Sequence, residues 1–317
     1  MTRFILTRLL LLALGLTLAS LLIFFTLRLL PGDVAQVIAG TDSSPEQLAH
    51  IRESLHLDDP LLAQYGSWIG GILHGDFGNS AITGTPVASE LVQKAEVTVP
   101  LALLSLLIAL LIAVPLGVAS ALRRGKLSGT LLGGGAQALA AVPVVWAGMM
   151  LVIIFSLWLG WLPAQGFPRQ GWADPGRALT ALLLPAITIG LVEGAVLLRF
   201  IRSSTIDAIG RDYVRTAAAG GLTRTRALIT QGMPAVALST LSVLGIQVAG
   251  LLVGTVLVEQ LFTLPGIGRM LVADVGNRDL PKVQSEILIL TALVLIIGTL
   301  IDITHRALDP RQREAAE

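Results

Sequence analysis

The sequence predicts an all-α polytopic membrane protein, and three observations carry that prediction. Mean hydropathy is +0.78. Of 317 residues, 54% are hydrophobic and only 14% charged, against roughly 25% charged in an average soluble domain, so the chain has too little polar surface to cover itself in water. The apolar residues also gather into runs near the ~20 residues that cross a hydrocarbon layer ~30 Å thick. Six runs are expected as transmembrane helices, at about 9–30, 100–122, 130–158, 179–200, 236–262 and 286–308.

The first run, Leu9 to Leu30, follows Arg3 and Arg8. A cleavable leader starts the same way, but its apolar core is usually ~7–15 residues and ends at a small-x-small site. Here the run is longer and leads into FTLRLLPGD, so residues 1–30 read as a retained first transmembrane helix. Residues 31–96 hold most of the early charge and read as an extracytoplasmic layer of amphipathic helices. Ser44-Pro45-Glu46-Gln47 is a helix start, with Ser as cap, Pro at the first helical position and Gln closing a capping box. Asp59-Pro60 starts another, with Leu61, Tyr65, Trp68, Ile69 and Ile72 along one face and Gly75 as its stop.

Residues 97–308 form the five-helix core, followed by a cytoplasmic tail, 309–317. Pro100 to Leu122 is aliphatic apart from Pro115 and Gly117, and Arg123, Arg124 and Lys126 close it. Thr130 to Trp158 is expected as one further pass, and Pro115, Pro143 and Pro185 are expected to kink their helices. Gly160 to Arg177 is rich in Gly, Pro and Trp, a composition for turns and interfacial anchoring. Basic residues gather at 3–8, 123–126, 199–226 and 306–313. The positive-inside rule then puts both termini in the cytoplasm.

Several chemistries are excluded at the outset. The chain has no cysteine, which removes disulfides, thiolate metal sites and thiol catalysis. His50, His56, His74 and His305 show no ligand spacing, so no metal site is expected. Asp33, Asp58, Asp59 and Asp76 each sit in Gly- or Pro-containing turns, where Asp bonds locally. A net charge of +1 argues against nucleic acid as a partner. A P-loop needs Gly-x4-Gly-Lys followed by Ser or Thr. The one Gly-Lys pair, Gly125-Lys126, precedes Leu127, and Ser120 stands where the first Gly belongs. The chain is therefore expected to be no ATPase.

One charged segment interrupts the apolar core at 211–234. Asp212 to Ala219 suits a short helix, with Asp at the positive end of the dipole and Gly220-Gly221 ending it. Thr223 is placed to cap a second short helix reaching about Gly232, and Pro234 then marks the start of the next span. Two short helices across the end of a bundle make a knob that transmits motion when a partner grips it.

This segment resembles the EAA loop of ABC importer permeases. Arg215-Thr216-Ala217 stands at the Glu-Ala-Ala position, Gly221 at the Gly position and Met233-Pro234 at the Leu-Pro close. Arg in place of Glu departs from the general pattern and is similar to the dipeptide/oligopeptide/nickel branch, with Asp212-Tyr213-Val214-Arg215-Thr216-Ala217 followed by Gly221-Leu222. The resemblance covers nearly the whole chain: Pro31-Gly32-Asp33, Leu57-Asp58-Asp59-Pro60-Leu61, Gly75-Asp76-Phe77-Gly78, Leu159-Gly160-Trp161-Leu162-Pro163, Phe262-Thr263-Leu264-Pro265-Gly266-Ile267-Gly268, Arg278-Asp279-Leu280-Pro281 and Leu308-Asp309-Pro310-Arg311. It implies a type I importer permease fold and the B-type permease of a bacterial inner-membrane, peptide-transporting complex. The implied partners are a second, C-type permease, two ABC ATPases carrying ATP and Mg, an extracytoplasmic substrate-binding protein and membrane lipid. It also implies that Asp212, Tyr213, Arg215, Thr216, Ala217, Gly220, Gly221 and Pro234 form the ATPase-coupling site.

Other residues keep two readings. Glu193, mid-span, either touches a cationic group of substrate or makes a structural hydrogen bond to a neighbouring helix. Gly250 and Gly254 are a small-xxx-small pair read as helix packing. Glu259 and Asp302, near span ends, read as solvated or capping residues. A nickel-chelate or other small-solute importer stays open as the specific activity. A secondary transporter stays open as another class, although it would usually carry more intramembrane charges. A membrane enzyme would need a nucleophile–base or metal constellation, and none is visible.

Overall fold

A computed structural model describes residues 2–29, 35, 44–54 and 58–308. Pro31-Gly32-Asp33, His56, Leu57, Asp309-Pro310-Arg311 and the 309–317 tail lie outside the described residues. The helices, in order, are α1 (Thr2–Leu29), α2 (Pro45–Ser54), α3 (Leu61–Leu73), α4 (Val87–Leu122), α5 (Leu127–Ala140), α6 (Val144–Trp158), α7 (Pro175–Ile209), α8 (Asp212–Ala219), α9 (Arg224–Leu261), α10 (Ile267–Asn277) and α11 (Leu280–Leu308). Among the described residues the β-structure is a single isolated bridge, Asn79 to Pro86.

Five helices, α1, α4, α7, α9 and α11, are long and apolar enough to cross a membrane, and the bent pair α5–α6 makes a sixth span if counted as one. Helix α7 is the hub. Its most apolar stretch is 67% buried, against 11% for α1 and 6% for α11, so α1 and α11 form the periphery. Close approach of α4 to α7 depends on small residues. A Cβ on Gly190 would stand 2.7 Å from Ile108, one on Gly194 3.2 Å from the Ala109 backbone, and one on Gly117 2.8 Å from Ile201. Without an aqueous hydrophobic drive between spans, packing at this distance supplies the association energy. The outer helices are joined by the Arg8–Asp302 ion pair, 3.0 Å, and by Arg306 stacked 4.3 Å over the Phe4 ring. Asp302 thus pairs with the first helix rather than capping its own.

The prolines divide into two kinds. Pro100, Pro115 and Pro185 lie within continuous helices. Pro100 lacks the N–H that would bond the Glu96 carbonyl four residues back; the Trp172 indole N–H takes that acceptor at 2.7 Å. The helix therefore runs unbroken from Val87, and the expected boundary at residue 96 falls inside it. Pro143 instead breaks the expected 130–158 span, turning α6 by 104° relative to α5. The residue before a proline avoids helical ψ, and Pro143 itself is extended, with φ −58 and ψ 135. After the bend Gly148 backs onto Leu261 and Thr188, where a Cβ would stand 2.5 Å from Leu261.

The layer before α4 begins as the capping residues dictate. The Gln47 N–H donates to Ser44 Oγ at 3.2 Å and Gln47 Oε1 accepts from the Ser44 N–H at 3.1 Å. Tyr65 and Trp68 of α3 pack on Phe24, and the Tyr65 hydroxyl pairs with Ser20 Oγ at 2.8 Å, so α3 lies against the end of α1.

Candidate functional site

Helix α8 projects from the end of the bundle where α7 stops. Asp212, Tyr213, Arg215, Thr216, Gly220 and Gly221 are exposed, Ala217 is half-buried, and Val214 alone is fully buried. Val214 plugs into a seat made by a missing side chain: a Cβ on Gly232 would lie 3.5 Å from Val214, 3.6 Å from Ala208 and 2.7 Å from Leu228. The far end is closed by a Schellman motif, in which the Leu222 N–H bonds Ala217 C=O at 3.3 Å and the Gly221 N–H bonds Ala218 C=O at 3.1 Å. Gly221 has φ +100, which a side chain bearing Cβ adopts only under strain. The knob is thus rigidly seated by one apolar plug and one glycine cap, while its charged face is unoccupied by the rest of the chain.

The second short helix expected here is the first turn of a long one. Thr223 caps it, accepting from the Arg226 N–H at 3.3 Å. The helix then continues through a π turn, Leu228–Gly232, into the span, so α9 runs from Arg224 to Leu261. Pro234 therefore sits inside a helix and does not open one. The wider turn, with the Met233 N–H bonded to Leu228 C=O, passes the chain into a proline without losing helical direction.

Glu193 lies at the contact of α7 with α9. Gln247 Nε2 donates to the Glu193 backbone oxygen at 2.8 Å and to Oε2 at 3.1 Å, which supplies the partner that the sequence could not name. Gly250 faces the other carboxylate oxygen, its notional Cβ 3.5 Å from Oε1, and Gly254 faces Ile189 at 3.7 Å. Both glycines look onto α7 at ordinary contact distance. The tight small-residue crossing is the one between α4 and α7.

At the opposite end of the bundle most of the polar residues bond one another or backbone groups. Glu259 is fully buried and corrects the reading of a solvated span end. Its Oε1 accepts from Thr98 Oγ1 at 2.6 Å and its Oε2 from the Arg269 N–H at 3.0 Å, while Thr98 Oγ1 accepts from the Ile267 N–H at 2.8 Å. The carboxylate and threonine thus satisfy the free N–H groups that begin α10. Gly266 is required beside it, since a Cβ there would stand 2.3 Å from the Glu259 carboxylate. Nearby, Lys282 Nζ bridges Glu90 at 2.7 Å and Asp274 at 2.9 Å. Asp279 accepts from Ser80 Oγ and, at 3.0 Å, from the Ala81 N–H, which ties the segment before α4 to the start of α11.

Val214, Gly232, Gln247, Thr98 and Lys282 escaped the sequence reading because each acts through a residue distant in the chain. The glycine-rich stretch 262–268 did carry a signal, although only the fold couples it to Glu259. Among the described residues no group of three or more His, Cys, Asp or Glu side chains is placed to hold a metal ion.

Comparison with known proteins accounts for nearly the full length. Residues 113–314 match the family described as binding-protein-dependent transport system inner membrane component, and residues 1–102 match its N-terminal companion. A putative peptide transport system permease protein of Brucella abortus is 36% identical over 305 residues, covering 93% of each chain. The dipeptide transport system permease protein DppB of Escherichia coli K12 is 33% identical, covering 93% of this chain and 94% of its own. The glutathione transport system permease protein GsiC of Salmonella paratyphi A is 34% identical over 99% of both. With its spans packed around α7 and both family segments matched in order, the chain belongs to the inner-membrane permease family of binding-protein-dependent ABC transport systems.

Proposed function

We propose that this chain is the B-type permease of an importer for peptide-like solutes, forming half of the translocation path. A second, C-type permease supplies the other half, two ATPases bind ATP and Mg, and an extracytoplasmic binding protein delivers the solute. The observation that carries this reading is the seating of α8: its exposed face has Asp212, Tyr213, Arg215 and Thr216 unclaimed by the chain, while Val214 locks it to α7 and α9. A rigid lever with a free charged face suits a partner that pushes. Both termini are on the cytoplasmic side, with α8, as the distribution of Arg and Lys favours. ATP binding closes the ATPases, α8 carries the motion into the bundle, and the permeases turn as rigid bodies to expose the path to the binding protein. The peptide class rests on the named relatives from Brucella abortus and Escherichia coli.

Purification of the tagged chain from its native membrane tests the assembly. Two ATPase subunits and a second permease are expected. Recovery of the chain alone, with uptake driven by a proton gradient, would replace the proposal with a secondary transporter.

A further inference from the structure

Beyond Glu193, α7 sorts its side chains by charge. Arg199 Nη1 donates to Gln137 Oε1 at 3.0 Å, and Arg202 Nε lies 3.4 Å from the notional Cβ of Gly133, so both cations turn toward α5. Phe200, Ser203, Ser204 and Asp207 turn the other way. With Ser239 and Thr240 of α9 they line a cavity of about 150 Å³. Liquid water takes about 30 Å³ per molecule, so the cavity has room for a hydrated functional group.

Of the four hydroxyls that line it, Thr240 bonds Val236 of its own helix, as Ser105 does to Leu101, Thr188 to Leu184 and Thr299 to Leu295 elsewhere in the spans. Among the described residues Ser203, Ser204 and Ser239 make no such bond, and the Asp207 carboxylate has no hydrogen-bond or ion-pair partner. Asp207 lies past the expected end of its span at about residue 200 and five residues before α8, where water reaches its exposed carboxylate. Glu193, Phe200, Ser204 and Asp207 recur at helical spacing on α7. Asp207 lies ~21 Å along the helix from Glu193 at 1.5 Å per residue, so the cavity sits toward the end of α7 that adjoins α8.

Resting on the importer reading above, we propose that this cavity is an exit-side subsite for a cationic, hydrogen-bonding group of the solute, with Asp207 selecting the charge. The ammonium of a peptide amino terminus has the fitting chemistry: three donors for one carboxylate and neighbouring hydroxyls.

The test uses the complete transporter in neutral-lipid nanodiscs. This chain has no cysteine, so a thiol introduced by Ser203→Cys reports alone on it. Cationic and anionic thiosulfonates of matched size are the probes, with labelling read by the mass of this chain. The cationic reagent is expected to react about tenfold faster. Asp207→Asn in that background brings the ratio near one, Asp207→Glu keeps it, and Ser239→Cys reports the same preference from α9. A ratio near one with Asp207 present, or a preference that survives Asp207→Asn, overturns the subsite. Trapping the ATPases with ATP and vanadate is expected to slow labelling. An unchanged rate in a complex that hydrolyses ATP would place the cavity outside the moving path and overturn the subsite, with the importer reading intact. A preparation without ATPase activity defeats the importer reading instead, and the charge ratio still decides the selectivity of the cavity.

Discussion

The two ends of the bundle handle polar residues in opposite ways. Around α10 and the start of α11, Glu259, Thr98, Lys282, Glu90, Asp274 and Asp279 bond one another or backbone N–H groups across elements far apart in sequence. Around α8 a single buried valine does the fastening, and Asp212, Arg215, Arg224 and Arg226 stay exposed. The first arrangement holds itself; the second leaves a charged face exposed, as the proposed coupling to an ATPase requires, with the first as the frame that keeps its shape.

Substitutions can break this contrast, and the largest effect is expected in the frame. Glu259→Ala removes the acceptor for Thr98 and for the N-terminus of α10. Losing charge-assisted bonds inside a buried site costs ~3 kcal/mol or more, so the purified protein should melt well below wild type. A melt unchanged by Glu259→Ala would remove α10 anchoring from the account. Lys282→Met leaves Glu90 and Asp274 without their shared cation. Breaking a mostly buried pair from one side costs ~3–5 kcal/mol in deep interiors, and the partial exposure of Glu90 lowers the expectation to ~2 kcal/mol. Limited proteolysis of the segment before α4 should speed up in that variant.

At the lever the expected signature is different. Gly221→Val strains a left-handed position by ~1–2 kcal/mol, too little to unfold the spans. Membrane abundance should stay near wild type while uptake per unit of ATP hydrolysed falls several-fold. Normal uptake at equal abundance would show that the cap geometry does not matter to coupling. Asp302→Asn should do least. Its pair with Arg8 is nearly half exposed, and such pairs are worth ~0–1 kcal/mol, so a melt shifted as far as that of Glu259→Ala would contradict this ordering.

Composition and periodicity made the membrane class, the run of spans and the cap at Ser44 legible, because each depends on neighbours within one or two turns. The knob was legible too, from Asp212, the Gly220-Gly221 break and the Thr223 cap. What failed were readings that treated a local signal as final. Pro100 looked like a start of a helix until Trp172, 72 residues on, took the carbonyl it orphaned. Pro143 looked like a kink and became a break, since α6 had a seat against Leu261 after the turn. Gly250 and Gly254 had the spacing of a tight crossing, while Gly190 and Gly194 had the close neighbours.

The sequence by itself thus determined that this chain lives in a membrane, crosses it repeatedly and presents a glycine-capped charged knob. Only the tertiary structure decided that Glu259 is a buried strut, that Glu193 is paired with Gln247, and that Asp207 is left unpaired beside three free hydroxyls. The reason is physical: helix propensity and hydropathy sum over adjacent residues, but the fate of a buried charge depends on which partner another helix brings within about 3 Å.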